Sequence, residues 1–548
     1  FPSMRDLLRA LSRDPATIWR RRGIAAAAAA TAAVAFVVGR AHSDAAPTCV
    51  GSSAEIARSW NPAVRTAMVA HVRGLSPFGA GEAIRLGDEL DRYSAAWADE
   101  HHRACAAHES GELPSTLYER RIGCLARNKA ALTTVAEVMT QVAAADLAPA
   151  LVAARSLPSA TGCTAGDASL VPPPPEAAAL QVAVVEPLVE RAIVLSIAGW
   201  SDAVPLAKAS VEAAEKIGYT PLIARALVAQ GRAELALNTG ELPERQPFEH
   251  ALDLALRSGD DVLAVEAYAR LIFAVQRYSG DVVDNWSVME AIAARTGTLG
   301  RFGRALLYNN KAVARIAAND RAGARALLQQ ALAAYPIDAS ASSLSPTDKP
   351  LELISVLHNL AQVADDPAER EARIRQVVEQ REAVLGAKHP KTLSAWFTAG
   401  TLIRNPDAAA AALQTALDGY RQWHPQLAAE IAKLAFERAW LADDRGDVPA
   451  ARAAMVVAAT DPLSPRSPDL GAIAAAYLRI TAGDHVDDAA QAMQAVAAAG
   501  LVDTPAWWTR ALLADAFITS ALGWERLGRQ GDAERCWSGA LTQLELVK

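Results

Sequence analysis

"LLYNNKAVARIAANDRAGARALLQQALAAYP", Leu306 to Pro336, decides the fold class. Tyr308, Ala312, Ala324, Leu328, Ala331 and Pro336 follow one another at separations of 4, 12, 4, 3 and 5. Separations of 3 and 4 hold side chains on one helix face, and the jump of 12 carries the chain over a turn onto a second helix. Small residues at such points let two antiparallel helices cross closely, while large ones fill the gap to the next pair. The pattern recurs in "RAWLADDRGDVPAARAAMVVAA", where Ala439, Ala451, Met455 and Ala458 are spaced 12, 4 and 3. In "FITSALGWERLGRQGDAERCWSGAL", Phe517, Ala521, Ala533, Trp537 and Ala540 give 4, 12, 4 and 3. From Glu176 onward the chain is Ala-rich helix after helix, broken by Gly, Asp and Pro, and shows no alternating strand pattern.

These spacings resemble the tetratricopeptide repeat, with a large residue at position 4, small at 8 and 20, large at 24, Ala at 27 and Pro at 32. The first segment matches all six positions; the second has Ala435 where the large residue belongs, and the third lacks the Pro. "REAVLGAKHPKTLSA" (Arg381 to Ala395) resembles the inter-repeat linker of kinesin-light-chain-like tetratricopeptides. "WHPQLA" echoes it, His424 and Pro425 matching His389 and Pro390. Repeats between Glu176 and Gly297 are degenerate. The resemblance implies an all-α solenoid over 176–548 that binds protein or peptide partners. In such a groove Asn309, Asn310 and Arg315, on the first helix of the best-matched repeat, are the candidate partner contacts, with plain surface solvation as the alternative.

"VPPPPE" (Val171 to Glu176) favours extended polyproline and marks a boundary. Before it, residues 42–171 read as a helical region. Leu86, Leu90, Tyr93 and Trp97 recur at four, three and four residues, "GELP" (Gly111 to Pro114) breaks the helix, and a second arm follows. Cys49, Cys105, Cys124 and Cys163 fall in this region, and Cys536 stands alone near the end. Four clustered cysteines in an exported segment read as two disulfides with three possible connectivities. Antiparallel hairpin arms suggest Cys105 with Cys124, leaving Cys49 to bond Cys163.

Further upstream, "WRRRGIAAAAAATAAVAFVVGRAHS" (Trp19 to Ser43) places three arginines before seventeen uncharged residues. As a helix the run reaches roughly 25 Å, the short end of a bilayer core. Its basic flank predicts a membrane span over 19–41, with a cytoplasmic N-terminus and the bulk extracytoplasmic in the cell membrane. A cleaved signal and a buried helix are the alternatives. "FPSMRDLLRALSRDP" reads as an amphipathic helix with Leu7, Leu8 and Leu11 on one face. This order is similar to the C-terminal part of large bacterial membrane-anchored serine/threonine kinases. The resemblance implies that residues 1–16 are the remnant of the last kinase helix and that the rest is a sensor region.

The catalytic parts of a kinase are absent: no Gly-rich phosphate loop on a strand, no phosphate-binding Lys, no "HRD" and no "DFG". "ADDRGD" (Ala442 to Asp447) sits at a repeat turn, and "FGAGEA" (Phe78 to Ala83) follows no strand. His101, Cys105 and His108 lie at i, i+4 and i+7 and with Cys124 offer four zinc ligands, the basis of a metal-dependent hydrolase alternative. The bland account is a disulfide plus exposed histidines. Trp507, Trp508, Trp524 and Trp537 are core or capping aromatics, or a partner patch. A net charge of −7 without a basic stripe argues against nucleic acid as partner. No cofactor, metal or small-molecule substrate is indicated. The sequence therefore predicts a non-catalytic interaction protein; a soluble cytoplasmic tetratricopeptide scaffold is the second possibility.

Overall fold

Helix starts follow from local chemistry. Asn61, Ser76, Asp366, His389 and Asn405 each accept a hydrogen bond from a first-turn amide, and a proline opens the helix behind each. The cap satisfies an orphan donor, and proline has no amide to lose there. Gly199 and Gly218 end their helices in the left-handed conformation, φ 75° and 76°, where a side chain would be strained. In the computed structural model, residues 49–168, 171–237, 245–278, 285–318, 320–335, 351–459, 470–499 and 507–547 are described. Among them there is no strand.

The N-terminal unit comprises α1 (Ser52–Ala57), α2 (Pro62–Leu75), α3 (Pro77–Glu109), α4 (Ser115–Gln141), α5 (Leu147–Arg155) and a 3-10 turn at Thr161–Ala168. Helices then run in antiparallel succession as α6 (Glu176–Ala198), α7 (Ala203–Ile217), α8 (Thr220–Leu237), α9 (Arg245–Arg257), α10 (Asp261–Tyr278) and α11 (Trp286–Arg295). Next come α12 (Arg301–Ala317), α13 (Arg321–Ala334), α14 (Ile354–Val363), α15 (Pro367–Leu385), α16 (Pro390–Leu402) and α17 (Pro406–Trp423). The series closes with α18 (Ala428–Asp443), α19 (Val448–Ala458), α20 (Leu470–Ala482), α21 (Val486–Ala499), α22 (Trp507–Arg526) and α23 (Gln530–Val547). Consecutive helices pack on one another throughout, so the molecule is a solenoid-like series.

The small residues of the repeating pattern lie at the crossings. Ala312, Ala324, Leu328 and Ala331 are all buried, as are Ala439, Ala451, Met455 and Ala458. At Gly231 the approach is closer still: a Cβ there would meet the Phe248 ring at 2.7 Å. "ADDRGD" is the polar turn between α18 and α19, with Gly446 at φ 73°. "FGAGEA" lies inside α3, so it forms no phosphate loop.

The N-terminal unit folds back on the middle of the series. Arg155, 1% exposed in its side chain, donates to Glu82 Oε2 at 2.6 Å, Glu89 Oε2 at 3.0 Å and the Leu385 carbonyl at 2.9 Å. His389 Nε2 donates to the Ala148 carbonyl at 3.1 Å, and burial pushes the pKa of His389 down to about 3. Phe78 meets the His424 ring edge-on at 4.6 Å. Val152, Val384 and Leu385 close the apolar side of this seam.

Two expectations are corrected. The single-pass placement in the cell membrane fails: among the described residues no helix is long and apolar enough to cross a membrane. The 19–41 stretch, like residues 1–16, lies outside the described residues. The cysteine pairing also differs, for the bonds are Cys49–Cys105 and Cys124–Cys163. Cys105 sits five residues before Ser110, which caps α3, whereas Cys124 sits nine residues after Ser115 opens α4, so the two stand at different heights in the hairpin. Each is met instead by a flanking segment. The turn around Cys49 lies on the end of α3, where the Cys49 carbonyl takes a hydrogen bond from His102 at 2.8 Å. The 3-10 turn lies on α4, where Asn128 donates to the Ser159 carbonyl.

Candidate partner-binding surface

Charged side chains of the first helices in successive pairs reach one another along one side of the series. On α6, Glu186 and Glu190 pair with Arg225 of α8; Glu186 also takes Arg127 of α4 at 3.3 Å. One step on, Arg232 of α8 approaches Glu266 of α10 at 3.6 Å and Glu352 at 3.4 Å. Arg270 of α10 joins Glu266 at 2.8 Å and Glu352 at 3.2 Å. Burial prevails at Arg127 and Arg232 and lowers their pKa values. For Arg225, Glu190 and Glu186 outweigh burial and raise its pKa. For Glu352, Arg270 and Arg232 outweigh burial and hold its carboxyl low. This part of the surface neutralises itself.

Asn309 and Asn310 lie within the next step, both buried. Asn310 donates to the Ala269 carbonyl at 2.8 Å, Asn309 to Asn310 Oδ1 at 3.2 Å, and Asn359 of α14 to Asn309 Oδ1 at 2.9 Å. Their amides tie three helices together. Ala305, Asn309 and Ala312 share a buried stripe at separations of 4 and 3, a signal present in the sequence. Arg315 is exposed and pairs with Asp320 at 3.1 Å.

Beyond α14 some charges lack a partner of opposite sign, while others, such as Arg375 with Glu371 and Lys433 with Glu430, still pair. Burial lowers the pKa of Arg381, whose Nη1 donates to the Lys391 carbonyl at 2.7 Å. Burial, then Arg381 itself, lowers Lys391. Among the described residues neither has a carboxylate within ion-pair reach. Gln362 donates to His358 Nε2 at 2.9 Å, which leaves the ring proton on Nδ1, and Nδ1 has no partner. Burial, then Arg381, pushes the His358 pKa down to about 4. Further along, burial raises Glu437 of α18 to about 7, and burial followed by Glu437 raises Asp515 of α22. Neither carboxylate has a cation partner among the described residues. Sequence inspection missed these five groups, although Glu437 stands two residues before the repeat alanine Ala439 and Asp515 six before Ala521.

The zinc set is not assembled, since Cys105 and Cys124 belong to different disulfides. His101 stacks on Trp97 and bonds Ser52, while His108 stacks on Tyr118. Trp524 is buried and Trp537 bonds Glu525; the side chains of Trp507 and Trp508 lie outside the described residues. The chain matches no known family model and no curated protein.

Proposed function

We propose that this chain is a non-catalytic interaction protein, a tetratricopeptide-type array that holds a protein or peptide partner along its charged inner side. The observation that carries this is the burial of the repeat alanines at helix crossings, Ala312, Ala324 and Ala331 together with their counterparts Ala439 and Ala451. Close crossings at those positions turn the first helix of each pair toward a common side, and functional groups on a rigid scaffold of that kind suit extended partners. The resemblance to kinase C-terminal regions gives the array a place as the partner-reading part of a signalling protein. On this account purified protein neither hydrolyses ATP nor phosphorylates itself.

Site-specific photo-crosslinking in cells tests the surface. A photoreactive residue replacing Glu352 or Lys391 should capture a partner, and one replacing exposed Val456 should not. Equal capture from both sets would refute the inner surface as the binding face.

A further inference from the structure

Leu180, Val184 and Leu188 stand at i, i+4 and i+8 on α6 and share one stripe. Leu180 is 84% exposed and Val184 69%, more than any other large apolar side chain among the described residues, and Leu188 is 37% exposed. No charge falls between Ala177 and Val185 to break the stripe. The same face runs on into Leu195 and Ala198, and there it is buried with the N-terminal unit. α5, nine residues long, packs on this helix of 23. The bare half of α6 therefore continues a surface that the fold already uses for helix packing, and an uninterrupted apolar stripe of this kind marks a place of association.

The charges at its ends say what fits. Glu176 precedes Val184 by eight residues and Arg191 follows it by seven. At about 100° per residue both lie on the same edge of the stripe, about 80° and 20° round from Val184. Glu176 is exposed and has no cation partner among the described residues, and Arg191, paired with Glu137, keeps its side chain 38% exposed. A second α6 laid antiparallel about a two-fold axis near Val184 brings edges of the same hand together. Leu180 then meets Leu188, and Glu176 meets Arg191, twice each. A parallel copy sets Glu176 on Glu176 and Arg191 on Arg191.

We propose that the N-terminal half of α6 is a self-association face, through which two copies of this chain pair antiparallel with Val184 at the axis. Three apolar side chains per copy cover less than the roughly 800 Å² per partner of a tight interface, so pairing is expected at tens of micromolar. Glu186 and Glu190, which belong to the charged inner side, lie more than about 100° round the helix from the stripe. Pairing therefore leaves the inner side free, and the proposal stands apart from the partner-binding function above.

Sedimentation equilibrium of the full chain from about 1 to 200 µM tests it. Wild type should pass from monomer to dimer, while Val184→Lys should stay monomeric with an unchanged melting temperature. Glu176→Arg and Arg191→Glu should each weaken pairing about tenfold, and an equimolar mixture of the two should regain it, because each charge then meets its opposite. On mild oxidation Val184→Cys should bond to its own kind. Leu180→Cys, held about 12 Å along the helix from its counterpart, should bond to Leu188→Cys and not to itself. A dimer that Val184→Lys leaves intact, or Leu180→Cys bonding to itself, overturns the proposal. A chain monomeric throughout the range also overturns it, and capture of a different protein in cells by a photoreactive residue replacing Val184 then gives the face to that partner.

Discussion

Replacing Arg155 by Ala should open the seam between the N-terminal unit and the middle of the helix series. The guanidinium makes three contacts, to Glu82, Glu89 and the Leu385 carbonyl, from a side chain 1% exposed. Removing one partner of a buried ion pair costs about 3–5 kcal/mol, because the other charges stay enclosed. Here the lower end applies. Arg85 stands 3.4 Å from Glu82 and 3.3 Å from Glu89, so the carboxylates keep one cation. The expected cost is therefore about 3 kcal/mol, concentrated at the seam. Hydrogen exchange reads this directly: amides between Val384 and Lys391 should exchange on the order of a hundredfold faster. Amides in α20 and α21, remote from the seam, should not change. Arg155→Lys keeps the charge but cannot span three acceptors, so it should fall between. Unchanged protection around Leu385 in Arg155→Ala would show that this arginine does not hold the seam.

The repeat register is tested by Ala324→Leu, which should overpack a helix crossing and cost about 1–3 kcal/mol, whereas Ala318→Leu, on an exposed turn, should do little; equal melting temperatures would count against the register. Glu437 titrates near 7 folded and 4.5 otherwise, so the folded state holds more protons between those values and stability should fall as pH climbs through them. Glu437→Gln should accordingly stabilise by about 3 kcal/mol at pH 8 and by almost nothing at pH 4, as urea melts at the two pH values would show. Non-reducing peptide mapping should find Cys49 with Cys105 and Cys124 with Cys163, loops spanning 56 and 39 residues. Their reduction should cost about 4 kcal/mol each in loop entropy, read as early melting of α1 and the 3-10 turn; any other pairing refutes the geometry.

The helix series was legible because its signal is local: small residues at fixed spacing cross helices wherever they occur. The hairpin of α3 and α4 was legible for the same reason, through the stripe from Leu86 to Trp97 and the break at Gly111. The cysteine pairing was not, because it depends on where two flanking segments return. Hairpin logic compares Cys105 with Cys124 alone and ignores their heights above the turn. Asn309 and Asn310 misled because polar residues are expected on open faces; their spacing from Ala305 and Ala312 already placed Asn309 on the buried stripe. Arg381, Lys391, Glu437 and Asp515 look like ordinary surface charges in sequence. Only the helices around them reveal that they lack partners.

The seam also sets an order on synthesis. In a repeat array each helix pair needs only its neighbour, so packing can follow the chain as it emerges. Arg155 needs Leu385, 230 residues later, and Ala148 needs His389, 241 residues later. At roughly 5–20 residues per second, the N-terminal unit waits on the order of ten to fifty seconds for its docking partner. During that interval Arg155 still has Glu82 and Glu89 from its own unit, while Val152 awaits Val384 and Leu385. A chaperone that shields a small apolar face for that long would find its target at α5.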